Sequence, residues 1–333
     1  MQVIARDVWS LTQKDDGGHA MCKIAVLLPC YNEQLTIAKV VADFKRELPT
    51  AEIWVYDNDS TDGSAKLAAE AGANVRIVKQ RGKGHVVRCM FREIEADYYV
   101  MADSDDTYPA DGVHELLESV ISGGADMAVG DRLSSTYRSE NRRPFHNFGN
   151  TLVVSLIRNL FHTNINDVMS GYRVFNRIFV KSCPILSQGF EIETEITLHA
   201  LAKRMAIAEK PIAYRDRPVG SKSKLATFKD GFKVLKTVFD LFRYYRPLFF
   251  FSVVSSILMF FAILLFVPVL LEYCQTGMVP KFPSLIVSTM FALASLFSFV
   301  CGLILDAVCR HHRLLFEIVL NRCSEGGRNG QIQ

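Results

Sequence analysis

The residues best placed to do chemistry in this chain are Asp103, Asp105 and Asp106, three carboxylates that follow the strand-like run Tyr98–Ala102. Alternate residues of an extended chain share a side, so Asp103 and Asp105 are expected to point together and hold one divalent cation through hard oxygen ligands. Without a cation they would repel. The stretch is also rich in turn formers, and an acidic turn after a strand is by itself an ordinary solvated loop. The surrounding chain has to decide between the two.

Carboxylates placed for chemistry need a scaffold, and the hydrophobic pattern supplies one. Lys23–Pro29 is a run of strand length, apolar from Ile24 on, followed by a helical pattern over Gln34–Leu48. Glu52–Asp57 is a second strand, with a turn at Asn58–Gly63 and an Ala-rich helix over Ser64–Ala73; Val75–Val78 is a third. After Gly82-Lys83-Gly84 come a helix over His85–Ala96, the strand into the acidic run, a helix over Ala110–Gly123 and a strand over Asp126–Val129. This alternation predicts the α/β class, a parallel sheet with helices on both faces. Ligands of such sheets bind beyond the carboxyl ends of the strands. Those ends carry Glu33, Asp57 with Asp59, Lys79 with Lys83, and Asp103 with Asp105. Each alone is an ordinary loop residue; their convergence on one rim is not.

Composition narrows the field. A chain of 333 residues, 49% hydrophobic and 22% charged, has room for one large domain and something further, and most of the apolar surplus lies after residue 247. A net charge of +3 makes no case for nucleic acid as a partner. The eight cysteines (22, 30, 89, 183, 274, 301, 309 and 323) have no CxxC or zinc-finger spacing and read as reduced thiols of a cytosolic domain. Pro29-Cys30-Tyr31-Asn32-Glu33 stands where a dinucleotide-binding GxGxxG would be, and Gly82-Lys83-Gly84 lacks the rest of a P-loop. His114-Glu115 lacks the second histidine of a zinc protease. Residues 1–20, with no apolar h-region, are expected to be a loose N-terminal extension.

Taken in order, Pro29-Cys30-Tyr31-Asn32-Glu33, Asp57-Asn58-Asp59-Ser60-Thr61-Asp62-Gly63, Arg81-Gly82-Lys83-Gly84 and Asp103-Ser104-Asp105 resemble family-2 glycosyltransferases of the GT-A fold. Val129-Gly130-Asp131-Arg132, Asp167 through Arg173 and Arg217 through Leu225 are similar to the polyprenyl-phosphate sugar synthases, the group of dolichol-phosphate mannose synthase and its bacterial glucosyl relatives. The resemblance implies a GT-A domain with a Rossmann-like, mostly parallel sheet over 21–226. It implies that Pro29, Tyr31, Glu33, Asp57, Asp59 and Lys83, with Asp103, bind a nucleotide sugar. Asp103 and Asp105 would hold Mg2+ or Mn2+ against the diphosphate, where a cation neutralises the departing nucleoside diphosphate. Thr107 stands where the mannose synthases often carry Gln and is the weakest candidate ligand. Asp167 joins Asp103 and Asp105 as a catalytic candidate, by ordering Arg173 or touching the sugar; the alternative is a buried loop-tying carboxylate.

A sugar hydroxyl acceptor needs a general base, whereas a lipid monophosphate with a second pKa near 6 is already ionised and needs cations to bring two anions together. Arg132, Arg142, Arg143, Arg173, Arg217, Lys222 and Lys224, with Ser223, are the candidates for that acceptor phosphate. Glu191, Glu193 and Glu195 lead into a helix ending near Lys203, either closing the site beneath the sugar or standing where a helix dipole favours carboxylates.

The last third reads as membrane. Phe228, Phe232, Leu235, Phe239 and Phe242 mark one face of an amphipathic interfacial helix over 227–247, with Lys229, Lys233, Lys236 and Arg243 elsewhere on it. Leu248–Leu271 and Ser284–Leu305 are uncharged runs of 24 and 22 residues, long enough to cross a bilayer, giving a two-helix hairpin over 248–309 and a tail over 310–333. Arg243, Arg246, Arg310 and Arg313 flank the spans, while the Glu272–Pro283 loop carries only Lys281; the positive-inside rule therefore puts the catalytic domain and both termini in the cytoplasm. Gly302 and several serines leave room for helix packing and a homo-oligomer. The expected activity is metal-dependent, inverting transfer of a hexose, glucose first, from a nucleotide sugar, UDP-linked first, to a polyprenyl phosphate such as undecaprenyl or dolichyl phosphate. The alternatives are a polysaccharide synthase acting on a sugar hydroxyl, against which stand the few spans and the lack of a QxxRW motif, and a non-catalytic membrane-anchored scaffold.

Overall fold

The computed structural model describes residues 22–132, 154–189, 191–215, 239–240 and 243–329. The chain divides into two compact units, Met1–Leu225 and Ala226–Gln333. The expected extension over 1–20 lies outside the described residues, as does the expected interfacial helix over 227–247 except for 239–240 and 243–247.

In the first unit the elements run β1 (Ile24–Cys30), α1 (Ile37–Glu47), β2 (Glu52–Asp57), α2 (Ser64–Glu70), β3 (Asn74–Ile77), α3 (Lys83–Glu93), β4 (Tyr98–Met101), α4 (Val113–Ile121), β5 (Met127–Asp131), α5 (154–161), β6 (Arg173–Asn176), α6 (Arg177–Ser182), α7 (Ile192–Ala202) and β7 (Ile207–Pro211). The seven strands form one sheet in the order β3-β2-β1-β4-β6-β5-β7. Every residue of β1 but Pro29 is buried, because both faces of this central strand are covered. Val26 and Leu28 face one core with Ile37, Val41, Phe44, Val113, Leu116 and Leu117. Ala25 and Leu27 face the other, with Val87, Met90, Phe91, Phe175, Phe179 and Ile196. In α1 the buried Ile37, Val40, Val41 and Phe44 form the stripe that a 3.6-residue period requires.

The sheet is mostly parallel, and one strand absent from the sequence reading, β6, positions the site. It runs antiparallel to both β4 and β5, pairing Arg173 with Met101 on one side and Val129 on the other. A strand inserted in this sense begins at the rim where β4 and β5 end. The segment Asp167–Tyr172 is thereby delivered beside Asp103 and Arg132.

The second unit is a pair of helices, α8 (Pro247–Thr276) and α9 (Phe282–Asn329). Pro247 occupies the first helical turn, where its missing N–H costs nothing. Gly277, at φ 67°, ends α8 in the left-handed conformation. Both helices are long and apolar enough to cross a membrane, over Pro247–Thr276 and Phe282–Ile318. The second helix continues to Asn329, past the expected hairpin boundary at 309. Polar and small groups sit on the seam: the Ser255 and Ser295 hydroxyls lie 2.9 Å apart, and Ser298 Oγ donates to the Phe251 carbonyl at 3.2 Å. A Cβ on Gly302 would stand 2.8 Å from the Cβ of Phe251, so close approach demands glycine. Gly302, Ser295 and Ser298 are therefore used within one chain's hairpin.

Candidate functional site

The loops at the carboxyl ends of β1 and β2 are laced together. Asn32, at φ 52°, donates its N–H to Ser60 Oγ, and its Oδ1 accepts from the Thr61 N–H. The Glu33 N–H donates to Ser64 Oγ at 2.8 Å, and Glu33 itself is buried beside Ser64. Asp57, 2% exposed, accepts the Ser60 N–H through Oδ2, while its buried Oδ1 has no hydrogen-bond partner among the described residues. A buried carboxylate oxygen left unsatisfied is costly, so this atom could accept a ligand N–H. The Arg81 guanidinium lies 4.5 Å over the half-exposed Tyr31 ring, donates to the Asn58 carbonyl and stands 3.6 Å from Asp59. Asn58, not singled out in the sequence, clamps the loop after β3 by donating to the Val78 and Gln80 carbonyls and accepting from the Gly82 N–H. Cys30, beneath these residues, is no nucleophile: burial pushes its thiol up to about 12.

Gly82-Lys83-Gly84 is not a phosphate cradle but a dock. A Cβ on Gly82 or Gly84 would lie 2.0 Å from the carbonyl oxygen of Gln188 or Ser187, and the Gly84 N–H donates to the Gln188 carbonyl. Arg88, one turn on, donates to the carbonyls of Ile185 and Leu186. Glu195 holds the same loop from the other side through the N–H groups of Leu186 and Ser187. The alternating glutamates thus divide their work: Glu195 secures the loop, and Glu193, 5% exposed, faces Lys83.

Asp103 and Asp105 do not lie side by side on an extended chain. Strand β4 ends at Met101, and the chain turns at Ser104–Asp105 with Asp106 at φ 60°. Ser104 pins the turn to β1 by donating to the Pro29 carbonyl, and its own carbonyl accepts from Thr36 Oγ1. Asp105, 5% exposed, accepts both the N–H and, at 2.6 Å, the hydroxyl of Thr107. Thr107 therefore orients Asp105. Asp103 Oδ1 lies 2.5 Å from Lys83 Nζ, and the same ammonium lies 2.5 Å from Glu193 Oε1. Burial works to lower the Lys83 pKa, but Asp103 and Glu193 hold it above the ordinary lysine value. Asp106 turns away to Lys39 at 2.6 Å.

Among the described residues no three His, Cys, Asp or Glu side chains are grouped to cage a metal. The donor set nevertheless fits Mg2+ or Mn2+, which such sites bind through one or two carboxylates with the remaining positions filled by phosphate and water. Asp103 and Asp105 could supply those carboxylates.

A basic pole stands next to this acidic one. Arg132 Nε and one terminal nitrogen make a two-pronged contact with Asp167, at 2.7 and 2.9 Å. Burial opposes the Arg132 charge, but Tyr108 and Asp167 hold its pKa well above the usual value. Asp167 is fully buried and pairs with Arg132. Arg173 is 0% exposed and donates to the carbonyls of Ser170 and Val168 and to Thr197 Oγ1. Tyr108 joins the poles: its hydroxyl accepts the Gly171 N–H, and its charged neighbours are Arg132, Asp103 and Asp167. Arg142, Arg143, Arg217, Lys222, Ser223 and Lys224 lie outside the described residues.

Comparison with known proteins bears on this geometry. Residues 25–183 match the family described as glycosyl transferase family 2. Glycosyltransferase AglJ of Haloferax volcanii is 32% identical over 233 residues, 70% of this chain and 76% of that protein. The dolichyl-phosphate hexose transferase of the same organism is 27% identical, over 65% of this chain and 92% of its own length. An uncharacterised Shigella flexneri protein is 49% identical over 42% of this chain and 86% of its own length. Among solved structures, glucosyl-3-phosphoglycerate synthase of Mycobacterium tuberculosis, crystallised with Mn2+ and UDP-glucose, superposes with a TM-score of 0.51 at 22% identity, covering 71% of this chain and 82% of that one.

Proposed function

Because this chain belongs to glycosyl transferase family 2, we propose that it moves a hexose from a nucleotide sugar to a polyprenyl phosphate, with UDP-glucose as donor and undecaprenyl or dolichyl phosphate as acceptor. The observation that carries the reading is the meeting of two opposed poles around Tyr108: Asp103 with its Lys83, and Arg132 held by Asp167. Transfer between two phosphates needs that pairing. One pole takes the diphosphate of the donor through a cation, and the other draws in the acceptor anion. The dolichyl-phosphate relative supports the acceptor class, and the neighbour with Mn2+ and UDP-glucose supports the donor and the cation.

The orphaned Asp57 Oδ1 fits an imide N–H such as that of uracil, with Tyr31 and Arg81 beside the base and Glu33 and Asp59 on the same rim. An acceptor phosphate oxygen attacks the anomeric carbon as the bond from that carbon to the diphosphate breaks. The electron pair leaves with the nucleoside diphosphate, and configuration inverts. No base is needed, since the nucleophile arrives ionised. A divalent cation, when bound, supplies positive charge against the leaving diphosphate. Lys83 adds an ammonium on the same side, Arg132 aligns the acceptor, and Arg142, Arg143, Arg217, Lys222, Ser223 and Lys224 are proposed as further acceptor contacts. The two apolar helices would keep this chemistry at the leaflet where the lipid phosphate emerges, with the catalytic unit and both termini cytoplasmic.

The test is to incubate membranes containing the protein with radiolabelled nucleotide sugars, with and without EDTA, and extract with organic solvent. An EDTA-sensitive lipid-linked sugar is expected, made best from UDP-glucose; no extractable product from any donor overturns the reading. A finer expectation concerns Gly171. A Cβ there would stand 2.5 Å from Asp103 Oδ2, so Gly171→Ala must displace a carboxylate that Lys83 pins. A misplacement of this size lowers transfer about a hundredfold. Wild-type rates in that variant would show that the Asp103 position is not critical.

A further inference from the structure

Lys83 Nζ is held 2.5 Å from Asp103 Oδ1 and 2.5 Å from Glu193 Oε1, and the two carboxylates differ in setting. The Asp103 side chain is 29% exposed on the rim, whereas the Glu193 side chain is buried in the first turn of α7. Neither partner is free to wander. The start of α3 is fixed by the close approach of Gly82 and Gly84 to the 187–188 backbone, and the Glu193 turn is tied down by Thr197 Oγ1, which donates to the Glu193 carbonyl at 3.0 Å. An ammonium bound to Asp103 alone would compete with any other cation for that carboxylate. Glu193 divides the ammonium's charge between two anions and weakens that competition.

We infer that Glu193 is a positioning residue for the divalent cation, sharing Lys83 with Asp103 so that the Asp103 carboxylate stays available to Mg2+ or Mn2+. The inference rests on the proposed reading of Asp103 as a cation ligand and adds a residue that acts through Lys83. Without the Glu193 charge, Lys83 belongs wholly to Asp103, and the incoming cation must displace it.

The experiment is direct titration of the detergent-solubilised full chain with Mn2+, with and without UDP, reading free Mn2+ by its electron paramagnetic resonance signal. Glu193→Gln, which preserves volume, is expected to weaken Mn2+ binding about tenfold. In a Lys83→Met background the same substitution is expected to cost less than about threefold, because no ammonium remains to redirect. If Glu193→Gln does not fold, Glu193→Asp, which withdraws the charge by one methylene, is titrated instead and weakens binding in the same direction. Unchanged Mn2+ affinity in the Glu193 variant overturns the inference, as does a full tenfold loss in the Lys83→Met background. Failure of the wild-type protein to bind Mn2+ would instead overturn the reading of Asp103 and Asp105 on which it rests.

Discussion

Asp105→Asn lowers sugar transfer by about a thousandfold while leaving the fold intact. The first half of that expectation follows from where charge develops. As the bond to the anomeric carbon breaks, the diphosphate gains negative charge in a site lined by the carboxylates of Asp103, Asp105 and Glu193, with Lys83 placed between Asp103 and Glu193. A cation held by Asp103 and Asp105 offsets that charge, and an amide is a poor ligand for a hard divalent ion. The second half follows from hydrogen bonding. Asp105 Oδ1 accepts from the Thr107 N–H and hydroxyl, and an asparagine Oδ1 accepts both equally well. Asn therefore removes charge without releasing the turn, and the midpoint of thermal unfolding should move by no more than a few degrees. Single-turnover rates at saturating donor, measured beside a melting curve, separate the two effects. A rate within tenfold of wild type would remove Asp105 from the cation site.

What the sequence made legible, and what it hid, follows from the range of the interactions involved. Strands β1, β2 and β4 were readable because a strand covered on both faces is an apolar run, and the rim of Glu33, Asp57, Lys83 and Asp103 followed from parallel topology. Strand β6 was not. Its four residues begin with an arginine and pair on both sides with strands distant in sequence, so neither length nor periodicity announces them. Missing β6 meant missing why Asp167 and Gly171 come to the rim, and why Tyr108 receives the Gly171 N–H. The period-2 argument for Asp103 and Asp105 failed for a local reason: the strand stops at Met101, and Asp106 adopts a left-handed turn that propensity permits but does not locate. Glu191, Glu193 and Glu195 looked equivalent in sequence, and the partners Lys83 and Ser187 distinguish Glu193 from Glu195.

Arg173→Met is expected to cost stability rather than acceptor affinity, the mark of a structural residue carried within a functional motif. Its guanidinium is fully buried, and burial lowers its pKa despite the opposing influence of Glu193 and Asp167. Three of its partners, the carbonyls of Ser170 and Val168 and the hydroxyl of Thr197, lose their donor on substitution, and buried groups left unpaired cost about 1–3 kcal/mol each. Methionine refills most of the volume, so the net loss should be about 3–5 kcal/mol, a fall of roughly 10 °C in the melting temperature of a domain this size. Arg173→Lys recovers little, because a single ammonium cannot span acceptors that a planar guanidinium reaches at once. In whatever fraction remains folded, the Michaelis constant for the lipid phosphate should stay within about threefold of wild type, since Arg132 and its Asp167 support are untouched. The opposite result, an unchanged melting temperature with a tenfold higher acceptor constant, would return Arg173 to the acceptor site. The discriminating feature is the ledger of donors and acceptors. A phosphate-binding arginine must keep guanidinium N–H groups for the ligand, and a side chain with no exposed surface, already donating to Ser170, Val168 and Thr197, has none facing solvent to offer.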